Sequence, residues 1–196
     1  MNFKQMLDED VIRPLIVINL VFFALQFFIG NFTDIFVLNP KLFLSEPWRL
    51  ISSMFLHGSV SHILFNMYAL FMFGPLVQQV IGPKKFLQTY FATGLIAAIA
   101  HIIFSNSLAL GASGAIFGLM GVLIILTPDL KVYMMLIPVP IKMKYAVPGM
   151  LVLIWIISAG VGLSIGNIAH LGGMISGLLI GLYLKKVKKV SVVMRY

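Results

Sequence analysis

The 196-residue chain has no cysteine, and only 10% of its residues are charged. The first absence excludes disulfides, a thiol nucleophile and cysteine-ligated zinc or iron–sulfur clusters. The second excludes a water-soluble globule, which carries about a quarter charged residues and about 45–50% apolar ones, against 60% hydrophobic here. With a mean hydropathy of +1.04 the sequence reads as an integral membrane protein. Acidic residues are fewer than half as many as basic ones, and all six fall outside the apolar runs: Asp8, Glu9, Asp10, Asp34, Glu46 and Asp129. A membrane-embedded carboxylate relay is therefore not expected, and the usual third member of a serine triad is missing.

A spanning helix needs roughly 20 mostly apolar residues, so the length allows about six spans with short loops and no separate soluble domain. The apolar runs fall at residues 11–29, 62–81, 86–104, 113–127, 145–161 and 168–184, with Gly82-Pro83, Pro128, Pro138 with Pro140, and the stretch 160–166 as breakers. The first run is long, follows an acidic trio and precedes further spans, unlike a secretory signal. The expected architecture is an all-α polytopic membrane protein, one membrane-embedded domain over residues 1–196.

The net charge of +8 is a topology signal rather than a nucleic-acid footprint. With the N-terminus inside, 12 of the 14 basic residues fall on the cytoplasmic side, including the tail over residues 185–196; only Lys41 and Arg49 fall outside. Both termini are expected inside, and the tail is expected to touch anionic headgroups of the bilayer. The one long loop, 31–61, is outer and apolar, so it is expected to lie partly in the interface with Trp48 near the headgroups, as a strut or a substrate guide.

The run 113–127 has 15 residues, about 22 Å of helix against a hydrocarbon core of about 30 Å. This short fourth helix cannot cross alone, so residues 105–112 must descend to meet it, and irregular backbone at depth needs protein or water around it. Ser113 then sits at a helix start inside a wet cavity. Its hydroxyl is either an N-cap or a nucleophile beside backbone N–H groups that face a developing oxyanion. In the sixth run, Gly173, Gly177 and Gly181 repeat every four residues and His170 lies one turn earlier; Gly114, Gly118 and Gly121 smooth the fourth run. Packing one stripe on the other would bring Ser113 and His170 together as nucleophile and general base, the alternative being a histidine that caps its span. His62 and Asn66 share a helix face and can donate to one oxygen or brace the first loop. A zinc site is disfavoured, since His57 and His62 are five apart with no acidic ligand. His101 reads as a packing or interface residue rather than a catalytic one.

Taken together, Trp48-Arg49, His62-x-x-x-Asn66, Gly111-x-Ser113-Gly114 and Ala169-His170-x-x-Gly173, in this order, resemble the rhomboid intramembrane serine proteases over nearly the whole chain. The resemblance implies a six-transmembrane-helix bundle with a short central fourth helix. It also implies Ser113 as nucleophile, His170 as base, and His62, Asn66 and the Ser113 N–H as oxyanion donors, with Gly111, Gly114, Phe117, Gly118, Gly173 and Gly177 packed around them. No cofactor or metal is implied. The partners implied are transmembrane protein substrates, with Trp155 in a gate formed by the fifth span and residues 160–167 as a cap. Two positions depart from the family pattern: Phe117 stands where many bacterial members carry Tyr, and Gln78 where many carry Glu.

Overall fold

Long apolar runs ended by glycine or proline become helices, because hydrocarbon leaves backbone polar groups no partner but each other. In the computed structural model, residues 10–134, 137–161 and 166–187 are described. In chain order the elements are α1 (Ile12–Phe28), α2 (Phe32–Phe36), α3 (Arg49–Ser52), a 3₁₀ turn (Ser53–Phe55), α4 (Val60–Ile81), α5 (Pro83–Phe104), α6 (Ser113–Leu126), β1 (Lys131–Met134), β2 (Ile137–Lys142), α7 (Met143–Val161) and α8 (Asn167–Lys186). Among the described residues, four helices are long and apolar enough to cross a membrane: α4, α5, α7 over Met143–Gly160, and α8. The apolar helices α1 and α6 are shorter, at 17 and 14 residues. The helix ends match the sequence runs to within a few residues, and the differences lie where caps decide. The Ser59 hydroxyl accepts from the His62 N–H and starts α4 two residues earlier, while Gly82, at φ 79°, joins α4 to Pro83 at the start of α5.

Large apolar side chains such as Phe65, Phe71, Ile156 and Leu179 point outward, as expected of helices whose solvent is lipid. The chain is an integral, multi-pass membrane protein. Its centre is α6, buried on all sides from Gly114 to Leu123 and packed most extensively against α8, then against α5. Close approach is possible because glycine meets backbone. A Cβ on Gly173 would collide with the Gly114 carbonyl, and one on Gly177 with the Gly118 carbonyl. On the opposite side, Gly114 faces Ala97 of α5 and Gly118 faces Thr93.

The first loop is folded rather than loose. Its organiser is Arg49, only 5% exposed, which donates to the carbonyls of Asp34 (2.6 Å) and Val37 (2.9 Å) and pairs with Glu46. Trp48 is half exposed, and its indole N–H donates to the Ile35 carbonyl. The loop also grips the segment before α6: Leu38 and Ala109 exchange two backbone hydrogen bonds of 3.0 Å, and the Gly111 N–H donates to the Ser53 carbonyl at 2.9 Å.

One element departs from the sequence expectation. Pro138 and Pro140 were expected to mark a turn, yet both lie in β2 of a two-stranded antiparallel hairpin that pairs Lys131 with Lys142 and Val132 with Ile141. Each strand of such a pair has one open edge, which is where proline is tolerated. Asp129 beside the hairpin binds Lys142 and Lys144, each at 3.0 Å, and their hydrogen bonds hold its carboxyl below the usual range. The basic tail from Lys188 onward, together with Lys4, Asp8 and Glu9, lies outside the described residues.

Candidate active site

Ser113 is the first helical residue of α6, and the N-cap position belongs to Ala112. Its hydroxyl is therefore not occupied in capping its own helix. The Oγ lies 2.7 Å from Nε2 of His170, a short hydrogen bond between residues 57 positions apart. His170 sits one turn into α8, whose N-cap is Gly166, so it does not cap that helix either. It is 6% exposed, and the Phe117 ring stacks on its imidazole at 5.0 Å and 30°. The pair stands at the adjoining starts of α6 and α8 because Gly173 closes against Gly114 just below it.

Among the described residues, Nδ1 of His170 has no hydrogen-bond partner and no carboxylate approaches it. Serine and histidine form a hydrogen-bonded pair with no third member among the described residues. A neutral imidazole with Nε2 facing the hydroxyl can take its proton, and the stacked ring fixes the plane in which it does so.

His62 and Asn66 come to the same place from α4. Gly111 has φ 122°, a conformation L side chains rarely adopt, and it turns the chain into α6. A Cβ there would lie 2.8 Å from both Cε1 and Nε2 of His62 and 3.7 Å from Nδ2 of Asn66. The two side chains thus fill the space a larger residue would take, immediately before Ser113. Nδ2 of Asn66 is buried with no acceptor among the described residues. Nδ1 of His62 accepts from the Gly58 N–H at 3.4 Å, which leaves the ring proton on Nε2, facing Gly111. The first N–H groups of α6 have no acceptor within the helix, so the start of α6 and the two side chains beside Gly111 all offer donors.

His57 adjoins this group without joining it. Its ring is 2% exposed and meets the His62 ring edge-on at 5.0 Å; burial, then the neighbouring His62, lowers its pKa to about 3, so it stays neutral. His101 is buried elsewhere, its Nε2 bonded to the Ser107 carbonyl at 2.9 Å, where it ties down the loop after α5. No cluster of three potential metal ligands occurs among the described residues. Trp155 is half buried on α7 against the core, its Nε1 without a partner among the described residues; positions 162–165 of the expected cap lie outside them. Gln78 accepts from the Val11 N–H at 3.1 Å and so ties the start of α1 to the C-terminal end of α4.

Sequence reasoning passed over Gln26, which grips the His57 backbone from α1. Its signal was available: an amide in an apolar span is expensive and needs a partner.

The Rhomboid domain profile matches residues 44–187. Rhomboid protease GluP of Bacillus subtilis is 34% identical over 143 residues, covering 71% of this chain and 26% of the relative. RHOMBOID-like protein 6, mitochondrial, of Arabidopsis thaliana is 31% identical, covering 71% of this chain and 44% of the relative. Rhomboid protease GlpG of Haemophilus influenzae is 31% identical over 147 residues, covering 75% of this chain and 74% of the relative. The match thus spans less than half of the first two relatives and about three quarters of the third. The matched region contains His62, Asn66, Ser113 and His170, and the chain belongs to the rhomboid family.

Proposed function

We propose that the protein is an intramembrane serine endopeptidase that hydrolyses peptide bonds in or near transmembrane segments of membrane-protein substrates through a Ser113–His170 dyad. The observation that carries this reading is the 2.7 Å contact between Ser113 Oγ and His170 Nε2. The named proteases among its relatives support the same chemistry.

His170 takes the Ser113 proton as Oγ attacks the scissile carbonyl carbon. The resulting oxyanion accepts from the Ser113 N–H, His62 Nε2–H and Asn66 Nδ2–H. The C–N bond breaks as the imidazolium protonates the leaving amine, leaving an acyl-serine. His170 then deprotonates a water that attacks the acyl carbon, and collapse of this second adduct returns the proton to Ser113. Helical carbonyls are hydrogen-bonded and shielded, so a substrate must present an unwound segment. Transmembrane helices with glycine or other weak helix formers near the outer surface are the expected targets. Trp155 and α7 are proposed as the gate through which such a segment enters, with residues 160–167 as the cap.

The same proposal includes six spans. α1 and α6 join the four long helices, and α6, at 14 residues or about 21 Å, is the short central one. Loop charges favour both termini on the cytoplasmic side, so the starts of α6 and α8 open toward the outer face. In the test, full-length protein is reconstituted with a reporter transmembrane substrate. Native protein is expected to release two fragments, and Ser113→Ala and His170→Ala each to lose at least about 10⁴-fold in rate. Undiminished cleavage by either variant contradicts the dyad; client association without cleavage by native protein would make it a non-proteolytic relative.

A further inference from the structure

Two of the three hydrogen bonds of the Gln26 amide go to the backbone of His57, beside the candidate site. Nε2 donates to the Thr33 hydroxyl at 3.0 Å and to the His57 carbonyl at 3.2 Å, and Oε1 accepts from the His57 N–H at 2.9 Å. A backbone N–H only donates, so the orientation of the amide is set by the network. One side chain on α1 therefore holds both backbone polar groups of a single residue in the connection before α4. The next residue is Gly58, whose N–H donates to Nδ1 of His62. That bond exists only while Nδ1 carries no proton, and at 3.4 Å it is long enough to be lost if Gly58 drifts. The tautomer of His62 thus depends on where Gly58 is held, and the residue before it is held by Gln26.

We propose that Gln26 is a positioning residue for the oxyanion site. Its grip on His57 fixes the Gly58 N–H and so selects the His62 tautomer with its proton on Nε2, the atom facing Gly111 and the start of α6. The inference rests on the oxyanion role proposed for His62. The edge-on packing of the His57 ring against His62 supplies a second restraint through the same residue. Without the grip, the Nδ1–H tautomer becomes populated, and its Nε2 offers a lone pair where the oxyanion needs a donor.

The 196-residue chain has four histidines, so ring ¹⁵N spectra of the detergent-solubilised protein can resolve each of them. In native protein His62 is expected to show an unprotonated Nδ1 and a protonated Nε2. In Gln26→Met, which keeps the length and loses the hydrogen bonds, the opposite tautomer is expected to appear. The rate at which a fluorophosphonate labels Ser113 is expected to fall about tenfold, a fraction of the 10²–10³ associated with complete loss of one oxyanion donor. In a His62→Ala background the same Gln26→Met change is expected to cost less than twofold, because the effect passes through His62. Thr33→Val, which leaves the grip on His57 intact, is expected to label at the native rate. If Gln26→Met does not fold, Gln26→Glu at neutral pH replaces it; its carboxylate still accepts from the His57 N–H but cannot donate to the carbonyl, and an intermediate tautomer mixture is expected. An unchanged His62 tautomer overturns the proposal, and so does an equal loss of labelling with and without His62. Failure of native Ser113 to label would count against the proposed protease instead, and the tautomer measurement would still decide the role of Gln26.

Discussion

At the scale of single residues, the structure separates four histidines that look alike in composition. His170 meets a serine, His62 faces the turn into α6, His101 ties down a loop, and His57 is buried beside His62 with a pKa lowered to about 3. The last has a thermodynamic consequence. The folded state keeps His57 neutral while an unfolded chain protonates it near its ordinary value of 6.5. As pH falls below 6.5 the unfolded state therefore binds the extra proton, and stability is lost progressively down to about pH 3, by on the order of a few kcal/mol. Above pH 6.5 this group contributes no pH dependence. Thermal unfolding of detergent-solubilised protein is expected to show a midpoint that falls between pH 7 and 4, and His57→Phe is expected to flatten part of that fall. An identical profile in the variant would show that acid lability arises elsewhere.

At the scale of elements, the decisive contact is between α6 and α8. Gly173 on Gly114 and Gly177 on Gly118 bring backbone against backbone, which sets the distance between the two helix starts and hence between Ser113 and His170. Gly177→Ala would place a methyl group on the Gly118 carbonyl, where neither partner is a flexible side chain that can yield. We expect it to cost more than about 3 kcal/mol and to reduce labelling of Ser113, the upper range for overpacking. Gly149→Ala on α7, where an added Cβ meets nothing within 4 Å, is expected to be neutral or slightly stabilising. Unfolding of the two variants in parallel checks this, and equal stability would contradict the packing account. These stripes were legible in the sequence because a four-residue glycine period has one geometric meaning on a helix. The hairpin Lys131–Met134 with Ile137–Lys142 was not, since two prolines argue against a strand until its open edge is known. Nor was the buried Arg49, whose carbonyl partners Asp34 and Val37 lie 15 and 12 residues earlier in a loop with no periodicity. The Ser113–Gly111–His62 arrangement was legible in part. Motif spacing identifies the residues, but the chain from Gln26 through His57 to His62 runs across 36 positions and has no local signature.

At the scale of the whole molecule, a chain too apolar for water brings Ser113, His170, His62 and Asn66 to the neighbouring starts of three helices, proposed to open on the outer face with most basic residues opposite. The absence of native cysteine makes this orientation directly measurable. Single cysteines at exposed positions, Leu44→Cys in the first loop and Tyr133→Cys in the hairpin, are expected to react with an impermeant maleimide from opposite sides of intact inner-membrane vesicles. Reaction of both from one side would contradict the proposed topology.

The central claim is that a serine and a histidine, without a carboxylate, form the reactive pair. The most direct measurement is fluorophosphonate labelling of the full-length protein in membranes, with the modified residue located by mass spectrometry. The account predicts one adduct, on Ser113, and its near-complete loss in His170→Ala. An unlabelled Ser113 in folded native protein, or labelling that persists without His170, would contradict it.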